Sequence, residues 1–402
     1  MAGGRAGGRP PIGTVAQGTT VWLPARSVSA HSAPVTYLLN TWYVAMWADD
    51  LAPTQLVSRT ICEQPVVLYR DGQGAARALA DQCSHRFVPL SMGRVCEGSG
   101  NVECPYHGLQ FATDGECVMN PHGTGRIPRT LDIRAYPIVE KHTLLWIWIG
   151  DKEPDADRIP DYSYLDPDAP GLVSKRDWLI MDADYELVVD NLLDLSHVHF
   201  LHRGILSNGV HDLEADITIT EDDDTIIVTR RRFGVVPSPM FDLMYRNDGQ
   251  PVDAFGTMRW SPPSCLVNDS GVCAPGAAPE EGMVVRGTHL LTPSTPGRCY
   301  YHIAAVRIRA DESPSDRDPA VAKQLSALRR YAFEEQDKPV LEAQQRAYDR
   351  AGGKGSLRPV MMAIDAAPLK ARRILARLMA AEQERRGDKA QDDDGTLVGT
   401  VN

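Results

Sequence analysis

The sequence predicts an α+β protein: a small antiparallel β domain, then a larger domain in which an antiparallel sheet is covered by helices. Three observations carry this. Short β-rich runs, QPVVLYR, NVECPY and LLWIWIG, separated by Gly, Asp and Asn turns, fill the region before Gly150. Longer strand candidates follow between 215 and 310: ADITITEDD, TIIVTRRRF, FGTMRWSPPS, GMVVRGTHLLTP and CYYHIAAVRIRA. Apolar residues recur at helical spacing in ADYELVVDNLLDLSHVHFLH, ahead of those strands, and in a long stretch after Pro319.

Taken in order, residues 1–36 are rich in Gly, Arg, Ser and Pro and lack the apolar core of a secretory signal, so they read as a flexible extension. Residues 37–150 form the first domain, beginning where TWYVAMWADDL makes aromatics and aliphatics dense. Residues 151–171, DKEPDADRIPDYSYLDPDAPG, read as a Pro- and Asp-rich linker. The second domain spans 172–385, with Pro339 bending or interrupting its long helical stretch. An amphipathic helix, APLKARRILARLMAAEQERR, closes it, and 386–402 read as a flexible tail.

Composition narrows the function. The 402 residues are 43% apolar and 24% charged, as in soluble proteins, and no apolar run is long enough to span a bilayer. A net charge of -11 leaves no basic face for nucleic acid. Eight scattered cysteines are too sparse for a disulfide framework, which places the chain in a reducing cytoplasm.

Two of those cysteines belong to a histidine-containing pattern. Cys83-x-His85 and Cys104-x-x-His107 lie in DQCSHRFVPLSMGRVCEGSGNVECPYHGLQF, on two expected hairpin loops. Two thiolates and two imidazoles hold either a structural zinc or a two-iron two-sulfur cluster with the cysteines on one iron and the histidines on the other. Zinc fingers usually separate pair members by two or more residues, whereas here unlike ligands pair twice at short spacing. Cys96 and Cys117 nearby read as buried hydrophobes.

A second cluster lies in NLLDLSHVHFLH, residues 191–202, with three histidines and an aspartate. On an ideal helix His199 and His202 share a face, whereas His197 and His202 sit about 140° apart. Spacing alone nominates His199 with His202; pairing His197 with His202 requires an irregularity. The late acidic run FEEQDKPVLEAQQ offers Glu334, Glu335, Asp337 and Glu342 as a carboxylate partner.

These patterns resemble the Rieske motif, C-x-H then C-x-x-H, and the D-x-x-H-x-x-x-x-H iron motif of the Rieske non-heme iron oxygenases. The likeness runs from about residue 37 to 385. It implies a [2Fe-2S] cluster on Cys83, His85, Cys104 and His107, although Ser84 stands where that family usually has Pro and Phe87 where it has Gly. It also implies a mononuclear Fe(II) on His197, His202 and Asp337, with Glu335 a lesser alternative and His199 a neighbour. Asn191 stands in support of these ligands, and Asp194 bridges to a Rieske histidine on the neighbouring subunit of a homotrimer.

The same resemblance implies dioxygen as co-substrate. No G-x-G-x-x-G after a strand and no second cysteine cluster occurs, so NAD(P)H enters only through a separate reductase or ferredoxin. TWYVAMW, RWSPPS, RGTHLLTP, EAQQ and IDAAPLKARRILARL resemble aromatic O-demethylase oxygenases such as those acting on vanillate and dicamba. That implies demethylation of a methoxylated aromatic acid with release of formaldehyde. Ring dihydroxylation, or methyl hydroxylation of an aromatic carboxylate or sulfonate, is the alternative within the enzyme class, and an electron-transfer Rieske protein the alternative outside it. Asn268, Arg286 and His289 are the candidate donors to the small aromatic substrate, Arg286 or His289 meeting its carboxylate.

Overall fold

The fold is taken from a computed structural model that describes residues 37–169, 172–209, 215–309 and 319–394. The extension at 1–36 lies outside the described residues. Ten strands make up the first region: β1 (Thr41–Trp47), β2 (Val57–Ile61), β3 (Gln64–Arg70), β4 (Ala76–Ala80), β5 (Arg94–Val95), β6 (Val102–Glu103), β7 (Gln110–Phe111), β8 (Cys117–Met119), β9 (Ile138–Lys141) and β10 (Leu144–Ile149). They form antiparallel sheets in the orders β1-β10-β9, β2-β3-β4 and β5-β6-β7-β8.

The apolar run LLWIWI has a reason for its lack of alternation. In β10, Leu145, Ile147 and Ile149 enter one core while Leu144, Trp146 and Trp148 enter another, so neither face of the strand meets water. β1 is divided the same way, with Tyr43 and Ala45 on one side and Trp42 and Val44 on the other.

The second region is one seven-stranded antiparallel sheet. β12 (Asp216–Asp222), β13 (Thr225–Val235), β14 (Val252–Ser261), β15 (Cys265–Cys273), β16 (Met283–Thr295) and β17 (Arg298–Arg309) follow as a meander, and β11 (Leu172–Met181) pairs with β17 at the far edge. Helix α1 (Tyr185–Leu193) and the closing helix α6 (Ala366–Asp394) pack Val188, Leu192, Ile374 and Leu375 against Met258, Trp260 and Leu266 of the sheet. Short helices α2 (Val198–Leu201) and α3 (Pro239–Tyr245) and the longer α4 (Pro319–Tyr331) and α5 (Lys338–Arg350) complete the cover.

Two expectations change. The segment read as a linker is mostly exposed but anchored at three points: Ile159, Tyr162 and Leu165 are buried in the core shared by Trp146 and Trp148 and by Leu290 and Val306 of the sheet. Helix α6 also continues to Asp394, through part of the segment read as a tail from 386; residues 395–402 lie outside the described residues. Buried Glu382 on α6 accepts hydrogen bonds from the Leu39 amide (2.7 Å) and Asn40 Nδ2 (3.1 Å), tying the end of the chain to the first strand.

Two candidate metal centres

The first centre is built from two loops with the same hydrogen-bond plan. After β4, the Cys83 amide donates to Val88 O (2.9 Å) and the Phe87 amide donates back to Cys83 O (2.8 Å). After β6, the Cys104 amide donates to Leu109 O (2.8 Å) and Gly108 to Cys104 O (3.1 Å). Closing each turn takes one residue with positive φ: Phe87 at +60° and Gly108 at +69°. The first loop thus holds an aromatic side chain in a conformation that favours glycine. Ser84, standing where a proline was noted as usual, donates its hydroxyl to Leu131 O (2.6 Å) and anchors the loop from the side.

Between these loops the ligand types separate by burial. Cys83 and Cys104 are 2% and 1% exposed and belong to one buried cluster. Burial pushes the Cys83 thiol up to about 11. The His85 and His107 rings lie 4.6 Å apart on the outer side, near exposed Phe87 and Tyr106. Two buried sulfurs behind two outward imidazoles fit the donor set of a two-iron two-sulfur cluster. Cys117 lies buried in the adjacent core and Cys96 is half-buried.

The second centre gathers residues far apart in sequence. Asp184 caps α1, accepting from the Glu186 amide (2.9 Å). The helix stops at Asp194, whose backbone is extended and whose Oδ1 accepts from the Ser196 amide (2.9 Å) and hydroxyl (2.5 Å). His197 begins α2 and His202 ends it. The irregularity that the pair requires lies at Asp194–His197, upstream of the helical turn Val198–Leu201. The Asp194 side chain, by bonding its own backbone, ends the first helix early.

On the facing wall, α4 passes into a π-helical turn at Ala332–Asp337 before α5 begins. Pro339 has no amide to continue the α ladder and its ring crowds the preceding carbonyls, and the wider turn absorbs both effects. The turn ends on buried Asp337. His197 Nε2 lies 3.6 Å and His202 Nε2 3.2 Å from Asp337 Oδ1, and the three side chains can each offer one ligand atom within 4.8 Å of the others. Asn191 Nδ2 donates to Asp337 Oδ1 (3.4 Å).

The other ring nitrogens are fixed by the fold. His197 Nδ1 hydrogen-bonds the Asp194 carbonyl and His202 Nδ1 the Gln336 side-chain oxygen (2.9 Å), which leaves both Nε2 atoms facing Asp337. Burial lowers the His197 pKa, opposed by Asp337; at His202 burial acts the same way, but Asp337 outweighs it and the pKa rises. Two imidazoles and one carboxylate on one side of a point fit a facial iron site with open positions. His199 points elsewhere, its Nδ1 to Ser207 Oγ (2.8 Å) and its Nε2 to Arg230 (2.5 Å). Of the other carboxylates, Glu334 pairs with Arg330 (2.7 Å), Glu342 accepts from the Asp182 amide (3.2 Å) and Glu335 is exposed.

A cavity of about 190 Å³ opens beside this centre, between the sheet and α2, α3 and α4. Asn268 and His289 line it; Arg286 does not. The expectation for Arg286 fails on strand alternation. Asn268 faces Gly287 across the ladder on the cavity side, which sends their neighbours Asp269 and Arg286 to the opposite face. There Arg286 makes a two-point bond to Asp269 (2.7 and 2.8 Å) over the Tyr164 ring. His289 Nδ1 bonds the Tyr301 hydroxyl (2.6 Å), and burial with the nearby Arg329 charge brings its pKa down to about 4. Sequence reasoning missed Gln336 beside His202 and, in the cavity wall, Phe333, Arg230, Arg232 and Arg329; Phe333 and Gln336 lie in the acidic run FEEQDKPVLEAQQ, where only the carboxylates were considered. Among the described residues that line the cavity there is no carboxylate.

The comparisons agree with this geometry. The family model for the Rieske [2Fe-2S] domain matches residues 41–137, and that for the vanillate O-demethylase oxygenase C-terminal domain matches 181–381. The chain is 36% identical over 353 residues to the oxygenase component of dicamba O-demethylase from Stenotrophomonas maltophilia, covering 87% of this chain and 99% of that one. It is 36% identical over 349 residues to the oxygenase component of chloroacetanilide N-alkylformylase from Rhizorhabdus wittichii, covering 86% and 97%. The crystal structure of dicamba monooxygenase bound to 3,6-dichlorosalicylic acid matches with a TM-score of 0.78 at 34% identity, over 86% of this chain and 99% of that chain.

The chain belongs to the Rieske non-heme iron oxygenases, as an oxygenase component of their O-demethylase branch. It is an oxidoreductase that uses a [2Fe-2S] cluster, a mononuclear iron and dioxygen, as the oxygenase component of a system with a separate reductase or ferredoxin.

Proposed function

We propose that this oxygenase component O-demethylates a methoxylated aromatic acid of vanillate-like size, giving a phenol and formaldehyde. The observation that carries the reading is the convergence of His197, His202 and Asp337 beside a one-ring cavity whose described wall holds three arginines and no carboxylate. An engineered cavity of about 150 Å³ is enough to take benzene, so 190 Å³ suits a single substituted ring. Overall, the methyl ether, dioxygen, two electrons and two protons become a hemiacetal and water, and the hemiacetal then collapses to phenol and formaldehyde.

In this reading Cys83, Cys104, His85 and His107 hold the cluster, and His197, His202 and Asp337 hold the iron. When bound, the cluster supplies single electrons and the iron supplies reductive activation of dioxygen. The chain's own residues do the rest. The Asp194 carbonyl and Gln336 keep each imidazole in the tautomer that offers Nε2 to the metal, and Asn191 holds Asp337 Oδ1 from behind. Ala254, Phe255 and Phe333 exclude water from the ring, while Asn268 and His289 supply hydrogen bonds to the acid group.

Asp194 is assigned to electron entry from a neighbouring subunit. Its Oδ1 is engaged by Ser196, and its Oδ2 has no partner among the described residues. Exposed Met92 and Tyr106 at the cluster end and Phe200 on α2 at the iron end are two different apolar surfaces, which support a head-to-tail contact that closes as a homotrimer. A cytoplasmic location is part of the same proposal; no helix among the described residues is long and apolar enough to cross a membrane.

The test is to incubate the holoenzyme with a reductase, NADH, labelled dioxygen and a panel of methoxybenzoates. Demethylation predicts formaldehyde and a phenol in equal amounts. A cis-diol would establish ring dihydroxylation instead, and cluster reduction without substrate-dependent oxygen consumption would leave an electron-transfer protein.

A further inference from the structure

We infer that Arg329 is the charge anchor of the cavity, gripping the anionic substituent of an aromatic acid and thereby selecting acids over neutral rings. The inference rests on the aromatic-acid reading above and names the residue that enforces it. Arg329 lies in the last turns of α4, and Asp337, Phe333 and Arg329 follow one another at intervals of four along the same helical rod. On an ideal α-helix residues eight apart are about 80° apart around the axis. The π-helical turn advances by fewer degrees per residue, which draws Asp337 back toward the line of Phe333 and Arg329. One rod thus presents a metal ligand, an aromatic surface and a guanidinium in sequence, with about 12 Å of helix between the first and the last.

The neighbours divide the work of holding an anion. His289, in edge contact with Phe333 at 5.6 Å, is buried and uncharged near neutral pH, so it supplies a hydrogen bond and no charge. Its ring needs Gly287, since a Cβ there would come within 3.0 Å of Nε2. Arg230 approaches from β13 at the side of the cavity formed by helix α2, where it donates to the Leu195 carbonyl (3.1 Å) and to His199. Arg329 lines the same cavity as His289 and Phe333, with Asp177 the acidic group nearest in effect to its charge, and a guanidinium has five donors in a planar fork suited to a carboxylate or sulfonate. The fourth cationic candidate, Arg286, faces away from the cavity.

The experiment compares binding of 3-methoxybenzoate and 3-methoxybenzamide to the iron-loaded holoenzyme by equilibrium dialysis, in wild type, Arg329→Met, Arg329→Lys and Arg232→Met. The amide has the shape of the acid without its charge. Arg329→Met is expected to weaken benzoate binding about 10- to 100-fold, in line with loss of a charge-assisted bond, and to leave benzamide within about twofold. Arg329→Lys should recover part of the loss, and retained amide binding reports that each variant is folded. Parallel loss of acid and amide, an unchanged acid affinity, or an acid-selective loss in Arg232→Met alone would overturn the assignment to Arg329. If wild type binds the amide as well as the acid, the aromatic-acid reading itself fails, and that result is visible before any variant is made.

Discussion

The two metal centres of this chain solve the same problem in opposite ways. At the cluster end all four donors come from 25 consecutive positions, 83–107, and each pair rides on its own closed turn held by backbone bonds of the same plan. At the iron end, His197 and His202 come from a broken helix while Asp337 comes from a π-helical turn beyond the whole sheet. The cluster site is therefore assembled by local hydrogen bonds, and the iron site by packing of distant elements. Damage should follow that division: changes near the cluster stay near it, whereas the iron site depends on residues that never touch the metal.

Removing a ligand tests the division most severely. His197→Ala should reduce substrate oxidation by more than ~100-fold, beyond the usual cost of losing an outer hydrogen bond, while the visible spectrum of the cluster persists. Cys83→Ser should do the reverse, bleaching the cluster while iron stays bound at the other centre. Loss of both metals in either variant, measured by iron analysis and absorbance, would mean that the centres are not independent.

Next in size is Gln336, whose side-chain oxygen bonds His202 Nδ1 at 2.9 Å. Gln336→Leu should weaken Fe(II) binding by about 10- to 100-fold, read by chelator competition, with Gln336→Glu restoring most of it because the acceptor oxygen returns. Equal loss in both variants would show that the site tolerates no change there at all, and the tautomer argument would fail. A comparable decrease, about tenfold or more, is expected for electron delivery in Asp194→Asn with both metals retained, followed by stopped-flow oxidation of the reduced cluster.

The smallest effect sits in the cluster loops. Phe87 occupies a left-handed position that Gly108 occupies in the matching turn, and its side chain is 68% exposed, so little burial is lost on removing it. Phe87→Gly should stabilise the loop by about 1 kcal/mol and raise thermal bleaching of the cluster by roughly 2–4 °C. A drop instead would show that the exposed ring is held in place by a partner surface.

Legibility from sequence follows the same division. Cys83, His85, Cys104 and His107 were nominated by spacing, because local turns convert spacing directly into geometry. His197 was not: helix angles favoured His199 with His202, and only likeness to a family pointed to His197. The reason is now physical, since Asp194 ends α1 early and His199 turns to Ser207 and Arg230. Arg286 failed for a related reason, because strand register decides which face a residue occupies and an isolated strand does not reveal its register. Gln336 and Arg329 left no signal in the sequence, being ordinary polar residues on a helix until His202 is placed beside the first and a cavity beside the second.

By itself, then, the sequence carried the α+β class, and it nominated the four candidate cluster donors and an outside source of electrons. Each of these depends on local periodicity, short spacing or the absence of a motif. Tertiary structure alone decided which way His199 points, that the supposed linker is buried around Tyr162, that Arg286 faces outward, and that Arg329 and Gln336 reach the site. Those outcomes depend on contacts between residues tens to hundreds of positions apart, which no local pattern encodes.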